Sequence, residues 1–534
     1  MNLVKNFSLI ISLFSLIPLT SFGQIKSPNS DKFNEVLQYI TRMYVDDVNK
    51  DELTEKAIVT MLSELDPHSS YIAKDDVDDA NERINGSFVG IGIRFQILKD
   101  TLLVVQTIQG GPSESVGLLP GDKIISVASE IIAGTGLKNS QVREKLMGET
   151  GTKVKIQIIR GSGKKPIDFT ITRDKIPVFS VDSYYMIDAE IGYIKLNSFS
   201  KTTLDELRAS IDALRKKGMK ELIFDLQGNG GGLLYGAQEV ADEFLSGDKL
   251  IVYSEGRMQP RSELKAGVKG LWEEGKVIVL TDEYTASSSE IVSGAIQDWD
   301  RGLIVGRRTF GKGLVQRPIN LSDGAQIRLT IARYYTPSGR FIQKPYDDKE
   351  GYRDDITQRY LHGEFTNIDS IKFPDSLKHT TLLTNRTVYS GGGIMPDVFV
   401  PLDTTGINDM FRVLARSGYF NSFALTYLNS NRKKMTKSYP DFASFKNNFQ
   451  CDKKLVDEFF EYVKKENSEF KYDGKEYEVA QKLIDTRLKA TFAQDLWGYS
   501  EFYEIYNINN EILQKAIEVL RTNDYDKMNL AIAR

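Results

Sequence analysis

The sequence predicts a multidomain α/β protein, and three observations carry that prediction. Apolar residues recur at helical spacing near the N-terminus and again after residue 400. Short β-rich runs punctuated by Gly and Pro fill residues 86–174. From 175 to 345, strand-like and helix-like stretches alternate, which is α/β layering. A chain of 534 residues exceeds one ordinary core and suits three or four domains.

The composition, 41% hydrophobic and 27% charged, is that of a globular protein. The formal net charge of −4 offers no basic excess for phosphates, so no nucleic-acid partner is expected. The single cysteine, Cys451, excludes an intramolecular disulfide and reads as a half-buried structural thiol. Three histidines, His68, His362 and His379, with no HExxH and no paired cysteines, argue against a zinc site. No metal or cofactor is expected, and any acid–base chemistry near neutral pH falls to a lysine or a carboxylate.

Residues 1–23 read as a signal peptide. Lys5 supplies the positive flank, residues 7–20 the apolar core, and Ser21-Phe22-Gly23 a small-residue cleavage site. The apolar run is short for a membrane span, so cleavage is favoured over anchoring, and no cysteine follows to make a lipoprotein. The expected location is the periplasm or cell envelope.

Residues 24–85 form a helical region. Phe33, Val36, Leu37, Ile40, Met43 and Tyr44 mark one helix, and Leu53, Ala57, Ile58, Met61, Leu62 and Leu65 a second, stopped by Asp66-Pro67. Residues 86–174 make a small β-rich domain with strands such as Leu102–Ile108 and Val154–Ile159. In residues 175–400, Ile191–Leu196, Glu221–Leu226 and Lys276–Leu280 read as strands, and Leu204–Lys217, Leu233–Leu245 and Ser287–Trp299 as helices. The polar stretch 346–390 reads as an excursion over the surface. Residues 401–534 are helix-rich, with Val479, Leu483, Leu488, Phe492 and Leu496 on one helix ended by Gly498.

Val89-Gly90-Ile91-Gly92-Ile93 opens the β-rich domain. Its glycines let successive N–H groups turn toward one anion, such as a terminal carboxylate, and the strand that follows can pair with an added peptide. Gly111-Pro112-Ser113-Glu114-Ser115-Val116-Gly117-Leu118 and Pro120-Gly121-Asp122-Lys123-Ile124 follow in order. The segment resembles the PDZ domains of bacterial proteases, which implies that Gly90, Ile91, Gly92 and Ile93 receive substrate C-termini. A tight β-turn is the plainer reading of these glycines.

Three further motifs stand at strand ends. Asp225-Leu226-Gln227-Gly228-Asn229-Gly230-Gly231-Gly232 is a glycine-rich strand-to-helix turn that can expose N–H groups to negative charge. Its spacing fits neither phosphate-binding pattern. Thr285-Ala286-Ser287-Ser288-Ser289-Glu290 places Ser287 at a helix N-terminus, where the helix dipole favours a developing anion, or where serine simply caps. Thr309-Phe310-Gly311-Lys312-Gly313-Leu314-Val315-Gln316 puts Lys312 and Gln316 on one strand face. A lysine serves as a base only when burial lowers its pKa, and Gln316 can orient the amine without adding charge. Alone, Lys312 reads as an ordinary surface lysine.

Together these motifs resemble the C-terminal processing peptidases, or tail-specific proteases, of serine peptidase family S41. That family carries its serine in T-A-S-x-S-E, a lysine base 25 residues later in G-K-G, and a glutamine four residues beyond, matching Ser287, Lys312 and Gln316. Leu65-Asp66-Pro67-His68-Ser69-Ser70-Tyr71, Thr336-Pro337-Ser338-Gly339-Arg340 and Gly393-Ile394-Met395-Pro396-Asp397-Val398 also match, so the resemblance spans about residues 33–400.

It implies a PDZ-containing, crotonase-like protease core and an exported serine endopeptidase with a Ser-Lys dyad. Ser288 with Gly231 or Gly232 would form the oxyanion hole, and protein or peptide substrates with accessible C-termini are the expected partners. Asp298, 11 residues after Ser287, falls where some members carry a functionally sensitive aspartate; about three helical turns separate the two, so a supporting role is expected. The chain departs from the family at Gln227, usually Arg, which removes a charged contact beside the glycine loop. The helical tail lies outside the resemblance and is open to adaptor docking or self-association. The alternative is a non-catalytic PDZ-based peptide-binding scaffold or inactive homologue.

Overall fold

The computed structural model describes residues 28–530 except 99, 109, 162, 164, 523 and 529; the expected signal segment 1–23 lies outside the described residues. No helix among the described residues is long and apolar enough to cross a membrane. The chain divides between Leu65 and Asp66 into two units. The first contains helices Pro28–Met43 and Lys50–Leu65, as the apolar spacing predicts. Asp31 in the first turn of one, and Asp51 with Glu52 in the first turn of the other, complement the helix dipoles.

The second unit is built on a six-stranded sheet ordered Val181–Met186, Ile191–Leu196, Glu221–Asp225, Lys276–Thr281, Leu303–Gly306 and Val398–Phe399. The first pair is antiparallel and the rest are parallel. Each parallel step adds its strand on the same side of the last. Right-handed crossovers then place helices Thr203–Lys216, Leu234–Asp242 and Ser288–Asp298 on one face. Alternate strand residues, Leu222 and Phe224, Val277 and Val279, pack against Leu207, Ile211, Val240, Ile291 and Val292 of those helices.

The other sheet face carries Ile191, Tyr193, Ile223, Ile278, Leu280, Leu303 and Val305. Helix Glu511–Arg521 covers it with Ile512, Leu513, Ala516, Ile517 and Leu520, and Tyr525 follows them. The end of the chain therefore completes the α/β core. The helix-rich segment ahead of it has its own aromatic core, including Phe420, Phe423, Phe445, Phe459 and Phe492.

A second sheet centres on Gln326–Tyr335, which pairs with Ser70–Ile72, Leu250–Gly256 and Leu314–Asn320. The β-rich segment forms an antiparallel sheet ordered Ile93–Leu98, Thr101–Thr107, Lys123–Val127, Lys153–Ile159 and Ile167–Thr172, with helix Asn139–Leu146 alongside. It rests on the helical segment: Gln96 Nε2 donates to Ser422 Oγ at 2.6 Å, and Leu103 and Val105 pack on Leu425.

The stretch 346–390 runs over the surface as expected, most of its residues being exposed or half-buried, and it is anchored at a few points. Helix Lys349–Leu361 buries Tyr352 and Arg359, and Arg386 pairs with the buried Asp300 at 2.8 Å and with Asp397 at 2.6 Å. These pairs pin a polar segment whose other side chains mostly face solvent.

Candidate active site

Ser287 closes the turn between strand Lys276–Thr281 and helix Ser288–Asp298. The turn is built by Asp282, whose Oδ1 accepts from the Tyr284 and Thr285 N–H groups, while Thr285 Oγ1 donates to the Leu226 carbonyl at 2.9 Å. Ser287 has φ 58° and ψ −117°, a conformation that costs about 1–3 kcal/mol and persists only where its surroundings impose it.

The glycine loop is one cause. A Cβ on Gly231 would stand 2.8 Å from Ser287 Cβ and 2.9 Å from the Ser288 nitrogen, and one on Gly232 would stand 2.1 Å from the Phe199 oxygen. Only glycines allow this loop to lie against the serine turn. The Gly231 N–H donates to Asn229 Oδ1 at 2.9 Å. The Gly232 and Ser288 N–H groups have no hydrogen-bond partner among the described residues.

Lys312 precedes strand Leu314–Asn320, and its Nζ donates to Gln316 Oε1 at 2.9 Å. Burial pushes the Lys312 ammonium below the ordinary lysine range, and the nearby Glu290 charge opposes that shift. Lys312 and Ser287 line one cleft of about 520 Å³ with Gln316, Ser288, Gly230, Gly231 and Gly232. No direct hydrogen bond joins the two side chains among those described.

Their backbones are tied together from below. The fully buried Glu290 carboxylate accepts from the Ser287 N–H at 2.8 Å, the Gly311 N–H at 2.7 Å, the Lys312 N–H at 2.8 Å and Thr309 Oγ1 at 2.5 Å. Tyr334 Oη lies between the carbonyls of Ser287, at 3.1 Å, and Lys312. One carboxylate and one phenol thus fix two loops from different sheets. Glu290 stands in the serine motif at the third helical position, where a capping-box residue is expected. Tyr334 left no sequence signal.

Asp298 lies away from the cleft. It forms a fully buried pair with Arg340 at 2.5 Å and accepts from the Ser338 N–H and hydroxyl, which pins the Thr336–Arg340 loop. Beside Gln227, Lys195 Nζ of a neighbouring strand donates to the Gln227 carbonyl and to Asp225 Oδ1. His68 Nε2 meets Tyr352 Oη at 2.7 Å. Burial first, and then the Lys312 charge, push the His68 imidazole down to about 4, so it is neutral at ordinary pH.

In the β-rich domain, Gly90–Ile93 leads into strand Ile93–Leu98, which is paired on one side only and presents a free edge. Beside it lies an apolar cleft of about 130 Å³ walled by Phe88, Ile91, Ile93, Phe95, Leu146 and Met147. Ser113 holds the loop from behind by donating its N–H and hydroxyl to the Ile91 carbonyl.

Comparison with known proteins matches residues 190–358 to peptidase family S41 and 89–172 to the PDZ domain. Residues 20–76 match the activating protease CtpB N-terminal domain, and 410–498 match a family of unknown function. A carboxy-terminal-processing protease of Bartonella bacilliformis is 37% identical over 319 residues, covering 58% of this chain and 72% of that protein. The carboxy-terminal processing protease CtpA of Bacillus subtilis is 36% identical over 319 residues, covering 59% of this chain and 66% of that one. Among solved structures, the photosystem II D1 C-terminal processing protease is similar at 24% identity and a TM-score of 0.35, covering 71% of this chain and 95% of that chain.

Proposed function

The chain belongs to the carboxy-terminal processing proteases of peptidase family S41, and from that premise we propose that it is an exported serine endopeptidase in which Ser287 is the nucleophile and Lys312 its base. One observation carries the reading: the buried Glu290 carboxylate binds the Ser287 and Lys312 backbones at once, in a cleft where the Lys312 amine is desolvated.

Neutral Lys312 takes the Ser287 hydroxyl proton as Oγ attacks the scissile carbonyl. The oxyanion rests between the Ser288 and Gly232 N–H groups; Gly231 is set aside because its N–H already serves Asn229. The lysinium then protonates the leaving amine. Water, deprotonated by Lys312, hydrolyses the acyl-enzyme and regenerates Ser287.

A fluorophosphonate probe tests the nucleophile on purified residues 24–534. Labelling at Ser287, located by mass spectrometry and abolished in both Ser287→Ala and Lys312→Ala, is expected. Labelling elsewhere, or none, would overturn the dyad and favour a peptide-binding scaffold.

The PDZ domain supports capture of substrate C-termini. The free edge of Ile93–Leu98 can take a peptide strand, and the apolar cleft suits an apolar last side chain. A peptide ending in a free apolar residue is expected to bind about tenfold more weakly to Met147→Asp, since one buried apolar contact is worth roughly 1–2 kcal/mol. Calorimetry showing equal affinity for both proteins would remove this groove from substrate capture. Export to the periplasm or cell envelope rests on residues 1–23 alone and requires Gln24 to begin the mature chain, which N-terminal sequencing checks.

A further inference from the structure

Gln316 can help Lys312 only if its amide is turned one way. An amide has one donor end and one acceptor end, and the two are nearly equal in shape. Here Oε1 accepts from Lys312 Nζ at 2.9 Å, and Nε2 donates to the main-chain carbonyl of His68. Turned over, the amide would set its oxygen against that carbonyl oxygen and its NH2 against the amine. The His68 carbonyl therefore decides which end Lys312 meets.

That carbonyl is itself held. Asp66 Oδ1 accepts from the N–H groups of His68 and Ser69, both at 2.8 Å, and Asp66 Oδ2 accepts from Ser69 Oγ at 2.6 Å. Ser69 Oγ in turn accepts from the Thr330 N–H at 3.1 Å, and Thr330 is the residue paired with Gln316 across the sheet. The next residue, Ser70, begins the strand that pairs with Gln326–Tyr335. The turn is thus fastened to the same rung as the glutamine it contacts. The ladder shifts register between Val315 and Gln316, so strand pairing alone leaves Gln316 less strictly placed.

We propose that the Asp66–Ser69 turn is a positioning element for the reaction, in which Asp66 and Ser69 hold the His68 carbonyl so that Gln316 presents its oxygen to Lys312. A neutral amine has two N–H bonds and one lone pair. With one N–H committed to Gln316, the lone pair is confined to a narrower range of directions within the cleft that Lys312 shares with Ser287. This inference rests on the Ser287–Lys312 reading and goes beyond it, because it assigns work to residues that touch neither substrate nor nucleophile.

The test is a double-mutant cycle on kcat in residues 24–534, with an unstructured protein substrate and a melting curve for each variant. Gln316→Ala is expected to lower kcat about 30-fold and Asp66→Ala about tenfold, with KM within about twofold. Asp66→Asn, which keeps the oxygen that accepts from His68 and Ser69, is expected to recover most of the loss. In the Gln316→Ala background, Asp66→Ala should cost nothing further, because its effect passes through the missing amide. Should Asp66→Ala prove unstable, Ser69→Ala provides the same cycle, with an expected loss of about threefold that also vanishes without Gln316. Losses that multiply independently, or an Asp66→Ala and Ser69→Ala pair with wild-type kcat, would overturn the proposal. Full activity in Lys312→Ala would instead overturn the reading beneath it, so the two failures are distinct.

Discussion

Lys312→Ala is expected to lower kcat by about 10⁴–10⁶-fold while leaving KM within a few fold, because removing the general base from an acyl-transfer site leaves only the residual catalysis of the oxyanion hole and binding. The main chain at Lys312 stays in place, because its N–H remains bound to Glu290 and its carbonyl to Tyr334. Lys312→Arg should be no better, since a guanidinium does not lose its proton at working pH. In the parent, kcat/KM should rise with pH as Lys312 loses its proton. Because burial depresses that pKa, the rise should be complete below the ordinary lysine range. His68, held near 4, titrates too low to account for a limb nearer neutrality. A pH–rate profile that is flat from 5 to 9 with chemistry limiting, or a Lys312→Ala variant as active as the parent, would exclude lysine as the base.

Ending the chain at Asn510 is expected to unfold the α/β core. Helix Glu511–Arg521 and the Tyr525 that follows it bury Ile512, Leu513, Ile517, Val519 and Leu520 against one whole face of the sheet. At about 1.5–3 kcal/mol for each large apolar side chain, the loss is on the order of 10 kcal/mol. A native domain is stable by only about 5–15 kcal/mol. The truncated protein should lose its cooperative melting transition and its activity, and should expose Ile223, Ile278 and Leu303 to aggregation. A truncated protein with unchanged melting temperature and turnover would show that the sheet tolerates an open face.

The two cases illustrate different degrees of legibility. Taken singly, Ser287, Lys312 and Gln316 read as a helix cap, a surface lysine and its strand neighbour, and only their combined spacing, matched to a family pattern, marks them as a candidate site. The PDZ segment was readable for the same reason, through Gly90, Gly92 and the Gly111–Leu118 turn. Helix-capping rules reach Glu290 only as a partner of the Ser287 N–H; its other partners, Gly311 and Lys312, lie 21 and 22 residues away and are beyond those rules. The surface course of 346–390 follows from its polar composition, whereas its anchors, such as Arg386 with Asp300, pair residues too far apart in sequence for composition to show.

Local sequence is enough for the order of helical, β-rich and alternating segments and for the strand-to-helix turns. These depend on periodicity, capping and glycine placement within a few residues. Only tertiary packing brings Lys195 to the Gln227 carbonyl, the His68 carbonyl to Gln316, and helix Glu511–Arg521 onto the open face of the sheet. Each of these joins residues tens to hundreds of positions apart. The energies involved, desolvation and hydrogen bonding between separate elements, exist only once the sheet has brought those elements together.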